Sequence, residues 1–441
     1  MKRYLVWVII PSLMFFPSGA YPYDDKGLLE DNKKLTLEMS INTALKNNTF
    51  IKSKKERLRA AGEEVKSSTS DFLPHLSTSY GYTRLNDEPF AKIGEVEFFM
   101  GTRDNYQWNF EVSQPLFTGF ALKSKHQMAK LGVDMAELTT DQAILDIVKE
   151  VRVAYFKILL AQKFFLVAEE AVLQLQSHAS DSEKMYQQGM VPYNDLLKSK
   201  VALADTVQNR VKSRSDLTFV TSSFNTILRI DIDEDTRVVD VLEFKPYDLS
   251  LGEAISTAIR KRPELSALRL LVKSSDWEIN LAKSKHYPQI ALVGNYERMG
   301  EDPDASKNNF GNSHNESVTV QLKWELFEWG KTKAEVRKYR FRKRALEEEL
   351  IGIEDLVKLE VKKAYLDLKV ASRNIETARE SLTQAKENYR ITNLQYQQQI
   401  TTSTEVLDAR TLLTQAQTNY FSALYGYNIA RAELKRSMGT R

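Results

Sequence analysis

Tyr106-Gln107-Trp108-Asn109-Phe110-Glu111-Val112 alternates large apolar side chains with amides and a carboxylate, then runs into Gln114-Pro115-Leu116-Phe117-Thr118-Gly119. A period of two is that of an extended strand whose faces meet different surroundings. The passage recurs downstream. Val318, Val320, Leu322 and Trp324 alternate with Thr319, Gln321 and Lys323, and the chain continues as Trp324-Glu325-Leu326-Phe327-Glu328-Trp329-Gly330. Leu116-Phe117 and Leu326-Phe327 lie 210 positions apart, as do Ala154-Tyr155 and Ala364-Tyr365, Tyr186 and Tyr396, and Leu197 and Leu407. Upstream the offset is 214, linking Leu37, Ala44, Pro74, Tyr82 and Arg84 to Leu251, Ala258, Pro288, Tyr296 and Arg298. An offset this constant marks a duplicated structural unit.

Each copy opens with helical periodicity, at Leu35 to Asn48 and Phe50 to Asp71 and again at Leu249 to Lys261 and Pro263 to Lys285. Both longer patterns stop just before a proline, Pro74 or Pro288, which lacks an amide donor and biases its predecessor to extended geometry. Strands Leu76 to Leu85 and Ile290 to Arg298 precede the two quoted above. The connecting loops, Asn86 to Asn105 and Gly300 to Glu316, are read as polar hairpin tips. The offset changes inside these loops, where length variation is tolerated. Strands of about ten residues, apolar on one face and polar on the other, have the pattern of an outer-membrane barrel. A soluble sheet with one wet face has the same alternation, and the terminal tyrosine and tryptophan favour the membrane.

A long helix follows each hairpin. Its seam in the second copy is Val357, Val361, Ala364, Leu368, Ala371, Ile375, Ala378, Leu382, Ala385 and Tyr389. In the first copy it is Ile147, Val151, Ala154, Ile158, Ala161, Phe165, Ala168, Val172, Leu175 and Ala179. Alternating steps of three and four are the mark of coiled-coil packing. A returning helix keeps the rhythm at Val406, Ala409, Leu413, Ala416, Tyr420, Ala423, Tyr427, Ala430 and Leu434. Between the copies, Asp231 to Tyr247 breaks the pattern and carries the apolar run Val238 to Leu242, read as a small layer around the helices.

The domain organisation expected is a signal peptide at 1–20, a first repeat at 21–248 and a second at 249–441. The first repeat holds a strand hairpin at 76–116, a long helix pair at 119–229 and an equatorial linker at 230–248; the second holds a hairpin at 290–327 and a helix pair at 330–436. Lys2-Arg3, the apolar run Tyr4 to Phe16 and Ser18-Gly19-Ala20 read as a secretory signal cleaved after Ala20. A single membrane anchor is the alternative, but the run is broken by Pro11 and falls short of the roughly 20 residues a span needs.

Charge is nearly balanced, 62 basic residues against 59 acidic, so nothing points to nucleic acid. The absence of cysteine removes disulfides and thiolate chemistry. His75, His126, His178, His286 and His314 make no paired-ligand spacing and read as ordinary surface or core residues. There is no phosphate loop, nucleophile elbow or metal motif, so no enzyme, cofactor or metal site is expected.

Two hairpins give four strands, and four strands cannot close. An open edge cannot face lipid, because its amides and carbonyls would lack partners. Several copies must therefore pool strands into a barrel and helices into a tube. On the strands, Trp108, Phe110, Val320 and Leu322 are expected to face lipid, with Gln107, Asn109, Glu111, Gln321 and Lys323 lining the lumen.

The whole mature chain resembles the TolC family of outer-membrane efflux proteins, the outer membrane factors. The resemblance rests on the duplicated order of elements, on the two strand-to-helix motifs, and on Tyr186-Gln187-Gln188-Gly189 with Asn194-Asp195-Leu196-Leu197 at the far turn. It implies a mainly α fold with a small β-barrel. Three copies would form a twelve-stranded outer-membrane barrel continued by a twelve-helix coiled-coil tunnel across the periplasm. It also implies a passive exit duct of a tripartite efflux or type I secretion system, docked through a periplasmic adaptor to an inner-membrane pump. The far turns become the periplasmic mouth, with Asp195, Tyr396, Glu405 and Asp408 at the constriction and Gly189, Met190, Val191, Gln399, Ile400 and Thr401 as adaptor-docking tips. Family members commonly have glycine in both turns, and some carry an arginine two residues further on that bonds the first-copy aspartate across a subunit boundary. Gly189 fits; Gln399 and Thr401 depart. Glu405 and Asp408 read alternatively as a solvated helix face, and Met190, Val191 and Ile400 as plugs between helix ends. The competing reading of the whole chain is a secreted structural coiled-coil interaction protein without channel activity.

Overall fold

The computed structural model describes residues 34–241 and 247–441; the expected signal peptide and Leu242 of the linker's apolar run lie outside these residues. The first half comprises α1 (Leu37–Asn47), α2 (Thr49–Ser70), β1 (His75–Arg84), β2 (Phe90–Ile93), β3 (Val96–Phe99), β4 (Asp104–Phe117), α3 (Ala121–Gln187) and α4 (Tyr193–Leu228). The second comprises α5 (Leu251–Lys261), α6 (Pro263–Lys283), β5 (Gln289–Gly300), β6 (His314–Lys323), α7 (Lys331–Gln397) and α8 (Ser403–Ser437), with a 3-10 turn at Ser284–His286.

Local chemistry sets the element boundaries. Thr36 caps α1 by accepting from the Met39 amide, and Asn48 caps α2 by accepting from Phe50 and Ile51. Ser250 and Glu253 form a reciprocal capping box on α5, and Pro263 opens α6, where its missing amide costs nothing. The passage from β4 into α3 needs Gly119. Its φ is +61°, and a Cβ there would lie 2.4 Å from the Ser284 carbonyl oxygen.

The main sheet is four-stranded and antiparallel in the order β1-β4-β5-β6, so the two copies meet at the central β4–β5 pair. Both edges, β1 and β6, are open. β4 is longer than the alternation indicates and continues through Pro115, which the ladder accommodates beside a bulge between Pro115 and Phe117. The loop expected to be a simple polar tip contains a second hairpin, β2–β3, turned by Gly94 at φ +69°.

α3 and α7 have 67 residues each, a rise of about 100 Å at 1.5 Å per residue. Their seams are the interior of the fold. Ile147, Val151, Tyr155, Ile158 and Leu159 of α3 pack with Ala44, Ile51, Phe224, Leu228, Val238 and Tyr425. Val357, Val361, Leu368 and Ile375 of α7 pack with Ala254, Ala258, Leu265, Tyr427 and Leu434. The linker closes over the first core: Leu35 pairs with Val238 in a parallel bridge, and the buried Tyr155 hydroxyl donates to the Val239 carbonyl at 2.6 Å. A second apolar row on α7, Leu356, Leu359, Leu366 and Val370, is exposed among the described residues, as are Val201, Val211 and Phe219 of α4. Among the described residues no helix is long and apolar enough to cross a membrane.

Candidate functional site

Two regions carry the residues singled out by sequence. In the sheet, directly paired residues share a face. Trp108 stands opposite Tyr80 and Arg298, and Phe110 opposite Thr78 and Tyr296. Tyr296 in turn faces Glu316, and the same face carries Leu292 with Val320 and Ile290 with Leu322. Gln107, Asn109 and Glu111 share the other face with Gly81, Ser79 and Ser77 on one side and Met299, Glu297 and Asn295 on the other. Gln321 and Lys323 fall on that face too, opposite Ala291 and Gln289. The register thus puts the expected apolar residues of β4 and β6 on one face, together with Arg298 and Glu316, and the expected polar residues on the other. Tyr82 and Tyr106 stack at 4.7 Å on the apolar side, while Gln107 donates to Glu297 on the polar side.

At the opposite end of the long helices are the two turns, α3–α4 and α7–α8. They match bond for bond. In the first, Gly189 N–H donates to Tyr186 O and Met190 N–H to Met185 O; in the second, Gln399 N–H donates to Tyr396 O and Ile400 N–H to Gln395 O. This is the Schellman pattern, which satisfies the last carbonyls of a helix and needs a left-handed residue after its end. Gly189 takes φ +70° at no cost. Gln399 takes φ +60° with a side chain attached, a strained geometry accompanied by a contact from its Nε2 to the Met190 sulfur at 3.2 Å. Met190 and Ile400 are exposed, 51% and 72%, whereas Val191 and Thr401 are half-buried.

The four constriction candidates separate. Glu405 and Asp408 are exposed and one turn apart on α8, and Asp195 is half-buried in the first turn of α4. Tyr396 is 2% exposed and points into the helix packing, so its side chain joins helices and lines no open surface of the chain. Its hydroxyl bonds Ser182 Oγ at 2.8 Å, and its ring lies 4.7 Å from that of His178. Ser182 reaches Ser199 Oγ at 3.1 Å, Ser199 reaches Ser403 Oγ at 2.9 Å, and Ser403 meets His178 Nε2 at 2.8 Å. All five side chains are buried, and they come from all four helices: His178 and Ser182 from α3, Ser199 from α4, Tyr396 from α7 and Ser403 from α8. Burial lowers the His178 pKa, against an opposing pull from Asp181 and Asp195, and raises that of Tyr396. Sequence reading missed Ser182, Ser199 and Ser403. Ser182 did carry a signal, because it follows Ala179 by three and continues the alternating seam of α3 in a polar residue, whereas Ser403, three before Val406, falls out of the alternation on α8.

The outer membrane efflux protein family profile matches the chain in two segments, residues 40–219 and 254–440. The chain belongs to this family. Its members are outer-membrane channel-tunnels with a long periplasmic extension and are not enzymes. Outer membrane protein TolC of Vibrio cholerae is 23% identical over 410 residues, covering 90% of this chain and 89% of that protein. The fold is shared with the outer membrane channel CmeC of Campylobacter jejuni, at a TM-score of 0.79 and 17% identity over 96% of this chain and 90% of that one. It is also shared with the outer membrane protein VceC of Vibrio cholerae, at 0.77 and 14% over 92% and 96%.

Proposed function

We propose that three copies of the chain assemble into a twelve-stranded barrel continued by a twelve-helix tunnel, a passive duct for export driven by an inner-membrane pump. The observation that carries this reading is the open sheet. β1 and β6 each pair on one side only, and their free amides and carbonyls cannot be left in lipid. The exposed apolar rows of α7 and α4 support the same geometry, since a neighbouring copy supplies apolar helix faces of matching length. In this arrangement Trp108, Phe110, Val320 and Leu322 face lipid, and Gln107, Asn109, Glu111, Gln321 and Lys323 face water.

The turn end is then the periplasmic mouth. Gly189, Met190, Val191, Gln399, Ile400 and Thr401 form the tips that meet a periplasmic adaptor, in a tripartite efflux or type I secretion system. Exposed Met190 and Ile400 provide the apolar contact. Asp195, Glu405 and Asp408 supply the charge of the constriction, with Tyr396 behind them as a helix-joining residue. Native mass spectrometry in mild detergent combined with planar-bilayer recording tests the duct. Three chains per particle and a steady ohmic conductance are expected. A monodisperse monomer, or a trimer without conductance, would favour the structural coiled-coil alternative.

A further inference from the structure

One proton arrangement gives every donor in the cluster under the turns an acceptor. With Ser199 Oγ–H donating to the Asp195 carbonyl at 3.0 Å, Ser199 is left to accept from Ser182 and Ser403. Ser182 then accepts from the Tyr396 hydroxyl, and Ser403 accepts from His178 Nε2–H. Every hydroxyl hydrogen is used once, and the network assigns the neutral Nε2–H tautomer to His178. The other ring nitrogen, Nδ1, is buried and has no hydrogen-bond partner among the described residues. As a bare lone pair it is tolerable there. As an N–H carrying positive charge it would be a buried donor without an acceptor.

The groups facing the ring come from each helix packed on it. They are Asp181 on α3, Asp195 on α4, Tyr396 on α7 and Ser403 on α8. The two carboxylates favour the imidazolium, but burial opposes it more strongly.

We infer that His178 is an acid-release catch: its neutral ring ties the α3–α4 hairpin to the α7–α8 hairpin through Ser403, and its protonation lets the two turns part. The inference rests on the reading of the turn end as the mouth, which it supplies with a control that uses no arginine latch. The sign follows from linkage. The joined state binds a proton on His178 less well than a parted state in which water reaches the ring. The catch is therefore fully engaged above about pH 6.5, the ordinary imidazole value, and is lost as pH falls below it. The periplasmic position exposes it to outside acidity.

The test is a tip-to-tip distance within one chain. Nitroxide labels at Gln188→Cys and Gln398→Cys, on a background without native cysteine, are read by pulsed electron paramagnetic resonance in trimers diluted with unlabelled chains. Between pH 7.5 and 5.0 the distribution should gain a longer component. His178→Gln keeps a side-chain N–H for Ser403 but cannot titrate, so its distribution should stay at the neutral-pH value. Ser403→Ala, which removes the tie, should show the longer component at both pH values; it also decides the matter if His178→Gln fails to fold. A wild-type distance that ignores pH, or a His178→Gln chain that responds as the wild type does, would overturn the catch. Bilayer conductance in the same samples separates the two claims. Parting tips without any current would leave the catch and remove the duct, and current through pH-insensitive tips would do the reverse.

Discussion

Phe110 and Asn109 are neighbours on one strand and so lie at nearly the same depth, yet the register turns them to opposite faces. Replacing each in turn with arginine isolates the face from the position. Phe110 sits between Thr78 on β1 and Tyr296 on β5, inside the span of a ten-residue strand that, tilted, matches an apolar band of about 25 Å. An arginine on the lipid face of such a band costs about 2–4 kcal/mol near the midplane. With three copies per assembly, Phe110→Arg should destabilise the trimer by roughly 6–12 kcal/mol. Asn109 stands between Ser79 and Glu297, so Asn109→Arg places its charge in water beside a carboxylate, with an expected effect within about 1 kcal/mol per chain. The assay is folding into lipid vesicles across a urea series, scored by heat-resistant trimer on gels. Phe110→Arg should lose the trimer at low urea while Asn109→Arg tracks the parent. Equal loss in both variants, or the reverse order, would refute the facial assignment.

The remaining predictions concern the turn end. Gln399→Gly removes a left-handed side chain and should raise thermal stability by about 1 kcal/mol per chain, whereas Gly189→Ala at the matched position should lower it by a similar amount. A melting temperature that moves the same way in both would count against the strain. Met190→Glu and Ile400→Glu should abolish export by cells while trimer level and single-channel conductance stay at parent values; export that survives both places the adaptor contact elsewhere. Glu405→Ala with Asp408→Ala should relieve block of current by multivalent cations added on the periplasmic side. The block in the parent should itself fade between about 0.1 M and 1 M salt, as the screening length falls from about 10 to 3 Å. Equal block in parent and double variant would make these carboxylates a solvated helix face.

Most of the architecture was legible because it is written in long, repeated periods. The seams at Ile147 to Ala179 and Val357 to Tyr389 identify the faces of α3 and α7 that the structure buries, although Ala161, Phe165 and, on the second seam, the alanines with Leu382 and Tyr389 are only partly covered. Strand faces were equally legible, since alternation in β4 and β6 needs only the register to join them. The β2–β3 hairpin was not, because four-residue strands carry too few positions to establish a period. Its one clear cue was the Gly94-Glu95 pair between Ile93 and Val96, a two-residue hairpin turn. The buried cluster escaped for a different reason. A seam traced through apolar residues stops at Ala179, while the packing continues through Ser182 and Tyr396, whose hydroxyls are satisfied by one another. Nothing in a single sequence pairs Ser199 with Ser403, which lie 204 positions apart and meet only when the two hairpins pack.

The central claim is that the open edges belong to one another across a subunit boundary. Within a chain β1 and β6 are separated by β4 and β5, a distance of about 14 Å at 4.7–4.9 Å per strand, while a disulfide requires Cα atoms within about 7 Å. Any disulfide between these strands is therefore intermolecular. The measurement is a cysteine scan pairing Ser77 or Ser79 on β1 with Ser317, Thr319 or Gln321 on β6, oxidised in native membranes and run on denaturing gels. The account predicts that pairs in one register give a covalent species of three chains and that pairs displaced from it give little. Monomer at every pairing, in membranes where the protein is folded, would contradict it.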